Sequence, residues 1–107
     1  MQAGQAASMN FILERMDGSR TPISLVLGVP YIVDAVEARC PVLLDGLDPK
    51  QSEISGGGTL QALCLAMRFA WLRLNSQLEA GHHILEAEDG AIYDRERLAT
   101  LFGMGSI

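Results

Sequence analysis

One lysine, two histidines and two cysteines are all that this chain of 107 residues carries of those side chains. Eight cationic residues stand against thirteen carboxylates, and Lys50 is the only lysine, which excludes the clustered basic surface that a nucleic-acid backbone requires. His82 and His83 are adjacent and so point to opposite faces of an extended segment. No Cys or His pairs occur at metal-ligand spacing, and no metal site is expected. The chain has no Gly-x-Ser-x-Gly elbow, no Gly-Lys-Ser/Thr loop and no Gly-x-Gly-x-x-Gly fingerprint, so we assign no catalytic residue and no cofactor and expect no enzyme. No apolar run approaches the roughly 20 residues of a membrane span, and the start of the chain lacks the basic and apolar regions of a signal peptide. The expectation is a cytoplasmic protein with no membrane partner, in which Cys40 and Cys64 are reduced thiols, Cys40 on a strand and Cys64 on a buried helix face.

What is present is a globular composition, 49% hydrophobic and 20% charged, with a net charge of −5. That length suits a single core. Residues 1–8 are small, polar and without period, and are read as a flexible tail. Residues 9–107 are read as one α+β domain.

Two extended runs, residues 10–16 and 22–27, flank the turn chemistry of Asp17-Gly18-Ser19-Arg20 and predict a β-hairpin. A third strand is expected over 36–44, with Pro41 marking an edge position or a bulge. Residues 31–35 are ambiguous, and 51–55 are a candidate fourth strand. The triple glycine Gly56-Gly57-Gly58 then runs into a long helix that stops at Gly81, with Gly58 as N-cap and Gln61 placed to reach back to it. A last strand over 82–87 and a short helix capped by Asp94 and ending at Gly103 complete the pattern. The predicted fold is α+β, an antiparallel sheet of four to five strands with one long helix packed across it and a short C-terminal helix.

On the long helix, Leu63, Cys64, Met67, Trp71, Leu74 and Leu78 recur at three- and four-residue steps and predict the face that lies on the sheet. Leu65, Phe69 and Leu72 form a second apolar group, pointing away from the first. Either the C-terminal helix covers them with Leu98, Leu101 and Phe102, or a second copy does, so they form a dimer or cover patch. Arg68 and Arg73 are expected to anchor to carboxylates of the same chain. The glycines invite a phosphate reading, because amide protons at a helix N-terminus suit anions, but a strand-to-helix turn needs nothing more than these residues.

Carboxylates concentrate in the last third, and Glu86, Glu88, Asp89, Asp94 and Glu96 are the candidate partner-binding residues. Such a cluster is either a solvated face or a surface that meets a basic cleft in another protein.

From Val36 to Gly90 the chain resembles a family of small bacterial proteins of largely unassigned function. Their pattern is a strand with a central Cys, a Gly-x-Asp-Ser-x-Gln-Ala-Leu turn into a helix, a Leu-Ala-Leu continuation and a short strand. The matching residues are Cys40, Gly56, Thr59, Gln61, Ala62, Leu63, Leu65, Ala66 and Met67; the family's capping Asp is Gly58 here. Members of this kind are similar to immunity proteins encoded beside secreted antibacterial toxins. The resemblance implies a protein that neutralises a cognate toxin by direct contact, and the alternative is a structural or homodimeric domain.

Overall fold

The computed structural model describes residues 4–104, and residues 1–3 and 105–107 of the sequence lie outside the described residues. Strand β1 (Gln5–Glu14) pairs antiparallel with β2 (Arg20–Gly28) along nearly its whole length, from Ala7 opposite Leu27 to Glu14 opposite Arg20. The turn between them closes through the Arg15 amide on the Ser19 carbonyl at 2.8 Å and the Ser19 amide on the Asp17 carboxylate at 2.8 Å. The expected flexible tail is therefore corrected: from Gln5 onward it is the beginning of β1. Residues 5–8 carry no hydrophobic alternation, yet β2 presents partners for Gln5, Ala7 and Ser8, with a register shift at Ala6, and ladder pairing needs no apolar side chain.

After β2 the chain breaks at Val29-Pro30 and resumes as β3 (Tyr31–Ile32), then returns as β4 (Ala38–Asp45) and turns into β5 (Ser52–Gly56). Val42 is paired with both Leu27 and Ser52, and Ala38 with both Ile32 and Gly56. Hence β2 and β3 share one edge of β4, and β5 takes the other. Helix α1 (Thr59–Glu79) crosses the sheet to β6 (His83–Glu86), which pairs with the free edge of β1 and with β7 (Ile92–Tyr93). Helix α2 (Arg95–Leu101) is the last element among the described residues. Among the described residues the sheet is antiparallel and has seven strands, more than the four to five expected, because β3 and β7 are two-residue strands too short to leave a periodic signal.

Pro41 is at a locally open edge of β4, a strand that has neighbours on both sides elsewhere. It sits where the β2 ladder on β4 has ended at Val42 and the β3 ladder has not begun until Arg39. Its missing amide proton therefore falls in the one gap of that pairing, and its ring lies over Gly28, where a Cβ would come within 2.8 Å of it.

Alternate residues of the strands, among them Phe11, Leu13, Ile23, Leu25, Leu27, Cys40, Val42, Leu44 and Ile84, point to one face of the sheet and are buried there under the helices. The opposite face carries Asn10, Ile12, Ser24, Val26 and Leu43, none of them fully buried. The buried stripe of α1 is Ala62, Ala66, Ala70 and Leu74. Leu63, Met67, Trp71, Leu78 and Phe69 flank it, partly buried against the core. The predicted face is thus rotated by roughly a quarter of a turn, with alanines at the line of closest approach, where a large side chain would hold the helix off the sheet. Gly81 stops the helix at φ +92, a backbone state that glycine adopts without strain, and the Met16 thioether packs where a side chain would stand.

Candidate functional site

The expected acidic surface is assembled at the β6–β7 end of the molecule. The Gly90 amide donates to the Glu86 carbonyl at 2.9 Å, the Glu86 amide to the Ala91 carbonyl at 2.8 Å, and the Ala91 amide to the Asp89 carboxylate at 2.8 Å. These bonds fold Glu86, Glu88 and Asp89 into one hairpin turn. Asp94 caps α2 by accepting from the Arg97 amide at 2.7 Å, and Glu96 follows in the first turn, where the helix dipole favours an acid.

Arg97 then divides the cluster. Its guanidinium lies 4.3 Å from the centroid of the Tyr93 ring, donates to the Ile92 carbonyl at 3.1 Å and pairs with Glu86 at 3.2 Å. Burial, and after it the charge of Glu86, pushes the Tyr93 phenol above its ordinary range. Glu86 is consequently a partner of Arg97, whereas Glu88, Asp89, Asp94 and Glu96 keep their charge outward. Arg95, the neighbouring cation, pairs with Glu79 at 3.6 Å.

The second apolar group of α1 is not one patch. Phe69 packs against the core, while Leu65 and Leu72 are 37% and 48% exposed. The C-terminal helix does not bury them: Leu98 and Phe102 enter the main core, and Phe102 and Leu101 line a cleft with Met67, Leu25 and Leu27. Cys64 is exposed, against the expectation of a buried position, because the quarter-turn rotation carries it off the sheet side; Cys40 is buried, and both thiols are free. Burial pushes the Cys40 thiol up. Arg73 grips Asp48 through both carboxylate oxygens, whereas Arg68 has no carboxylate partner among the described residues.

The glycine turn is a packing device. A Cβ on Gly56 would stand 2.6 Å from the Ala62 amide nitrogen, so only glycine lets β5 pass this close to the first turn of α1. The Gln61 side-chain Oε1 accepts from the Gly57 amide, one residue before the expected cap, and thereby occupies an amide that an anion would need. Gly58 is the N-cap, with an extended backbone at φ −169 and no side-chain acceptor. Since nothing lies within 4 Å of a Cβ there, Gly58→Asp is expected to raise stability by about 0.5–1 kcal/mol, through the restored cap and the less flexible unfolded chain, read as a rise in thermal midpoint.

His82 accepts from the Met16 amide at 3.2 Å through Nδ1, tying the β1–β2 turn to the end of α1, and His83 is exposed. No group of three His, Cys, Asp or Glu side chains among the described residues is placed to hold a metal ion. No helix among them is long and apolar enough to cross a membrane.

One surface was missed from the sequence. Val29, Tyr31, Ile32, Val33 and Val36 are all exposed, within eight consecutive residues of the β3–β4 hairpin. Its loop is fixed by the Val33 and Asp34 amides on the Glu37 carbonyl, at 2.9 and 3.2 Å, and by the Val36 amide on the Asp34 carboxylate at 2.8 Å. Beneath it, Glu37 accepts from Arg39 at 2.9 Å and from Ser55 at 2.7 Å, and both bonds hold its carboxyl below the usual range. The Tyr31 hydroxyl donates to Glu53 at 2.7 Å, which raises the phenol's pKa. The signal was an apolar run, Val29-Pro30-Tyr31-Ile32-Val33, that reads equally well as a buried strand.

No family model, no curated protein and no solved structure matches this chain.

Proposed function

We propose that this chain is a non-catalytic binding protein of the immunity type, which acts in the bacterial cytoplasm and neutralises a cognate toxin by direct contact with a basic cleft. The observation that carries the reading is the surplus of outward negative charge on a pinned scaffold. Among the described residues, five of the thirteen carboxylates and five of the eight cations are consumed in ion pairs, leaving eight acids against Arg15, Lys50 and Arg68. Several of the eight are held in place by backbone amides, Asp89 and Asp94 among them, so the charge is presented from fixed positions. Such a field accelerates encounter with a basic partner and has a strong salt dependence. The resemblance over residues 36–90 supports the same reading, and the two free thiols suit a reducing compartment.

Glu88 and Glu96 are exposed and make no side-chain hydrogen bond among the described residues, so reversing them tests charge at the cost of only the small dipole benefit that Glu96 gives α2. Glu88→Lys with Glu96→Lys is expected to slow association with the product of the neighbouring gene by about tenfold at low ionic strength, with little change in thermal midpoint. Association rates that stay equal to wild type at every salt concentration would remove the acidic end from the interface. The second reading, a homodimeric structural domain, draws on exposed Leu65 and Leu72. It is favoured instead if wild type sediments as a dimer that Leu65→Ser with Leu72→Ser dissociates.

A further inference from the structure

We infer that the β3–β4 hairpin is the anchoring surface for a basic protein partner, an inference that rests on the neutralising role proposed above and assigns its contact to residues outside the acidic end. Ile32 and Val36 are 74% and 78% exposed, the most exposed aliphatic side chains of the hairpin. Isolated exposed aliphatics are ordinary, but five large apolar residues exposed within eight positions concentrate apolar surface on one hairpin, with Ile32 and Val36 the least covered.

The patch is also held ready. The Asp34 carboxylate and the Glu37 carbonyl fix the loop backbone, and Tyr31–Glu53 and Arg39–Glu37–Ser55 clamp the strands beneath it. A docking loop fixed in this way loses little conformational entropy on binding.

The charge around the patch selects the occupant. Asp34, Glu37 and Glu53 surround it, and Arg39 is the one cation in its clamp, already paired with Glu37. Two copies meeting face to face would bring these carboxylates together, and an anionic lipid surface would repel them. A partner with an apolar pocket rimmed by Lys or Arg fits both features. The division of labour is kinetic: the acidic end raises the rate of encounter, and the desolvated aliphatics of the hairpin set the rate of release.

The test uses the full chain and the product of the neighbouring gene, with association and dissociation followed on immobilised partner. Ile32→Ser with Val36→Ser is expected to weaken affinity about 100-fold, mainly through faster dissociation, with the association rate within about threefold of wild type. Val36→Arg alone, which sets a cation in the same patch, is expected to act in the same direction, and far-ultraviolet circular dichroism confirms that both variants fold. If both variants bind as wild type does while Glu88→Lys with Glu96→Lys fails, the hairpin is overturned and the neutralising role stands. If wild type does not bind that product, both fall. A wild-type dimer dissociated by the hairpin variant overturns the basic partner in favour of a second copy, and hairpin-dependent sedimentation with phosphatidylcholine vesicles overturns it in favour of a membrane.

Discussion

Phe11→Ala is expected to lower stability by about 3–5 kcal/mol, a large share of the roughly 5–15 kcal/mol that holds a domain of this kind together. Phe11 lies on β1, between β2 and β6, and is 1% exposed. Its ring fills the seam between the sheet and α1 with Leu13, Ile23, Leu74 and Ile84. It also meets the Tyr93 ring edge-on, with centroids 5.6 Å apart and an interplanar angle of 72°. Truncation therefore loses the transfer energy of the ring, leaves a cavity that rigid strands on both sides cannot close, and removes an aromatic pair worth about 0.5–1.5 kcal/mol. The second effect reaches the candidate site: Tyr93 carries Arg97 on its face, and Arg97 ties Glu86 to α2. Urea unfolding measures the loss, and hydrogen exchange is expected to show β7 and α2 loosening before β2 and β4. A loss below about 1 kcal/mol would mean that the ring is not at the centre of the core.

The elements that announce themselves in the sequence are those whose signal is chemical and local. Gly81 stops α1, Asp94 caps α2, and Asp17-Gly18-Ser19 turns β1 into β2, each by a bond or a backbone state that the residue type itself supplies. The orientation of α1 was not legible in the same way. Periodicity gives weight to large side chains and so selects Leu63, Met67 and Trp71, whereas contact with a sheet is closest where side chains are smallest, at Ala62, Ala66 and Ala70. Hydrophobicity alone does not separate the line of contact from its flanks.

The candidate site divides along the same principle. Glu88, Asp89, Asp94 and Glu96 fall together because they are near neighbours in the chain, so their clustering survives any reasonable fold. The withdrawal of Glu86 into a pair with Arg97 depends on the turn that brings α2 back beside β6, and spacing does not reveal it. The β3–β4 hairpin is a stricter case. Ile32 and Val36 have the residue types of a core strand, and only the fold shows that no helix or strand among the described residues covers them.

Gly56→Ala separates the packing role of the glycine turn from an anion-binding one, and its expected cost is about 2–3 kcal/mol. The added Cβ would stand 2.6 Å from the Ala62 nitrogen and 2.9 Å from its Cα, both backbone atoms that no rotamer change can move aside. Relief requires α1 to lift at its first turn, where Ala62 is fully buried and begins the stripe that continues through Ala66 and Ala70. A shift there is transmitted along the helix, because close-packed interiors are stiff. Gly58→Ala, two residues on, meets nothing within 4 Å and has an extended backbone that any residue adopts, so it is expected to leave stability within about 0.5 kcal/mol. Thermal unfolding of the two variants, each with and without inorganic phosphate, separates the roles. A large loss for Gly56→Ala, near-neutrality for Gly58→Ala and no phosphate-dependent rise in wild type define a turn built for close approach. A wild-type midpoint that rises with phosphate and ceases to do so in Gly58→Ala would instead give the glycines a ligand.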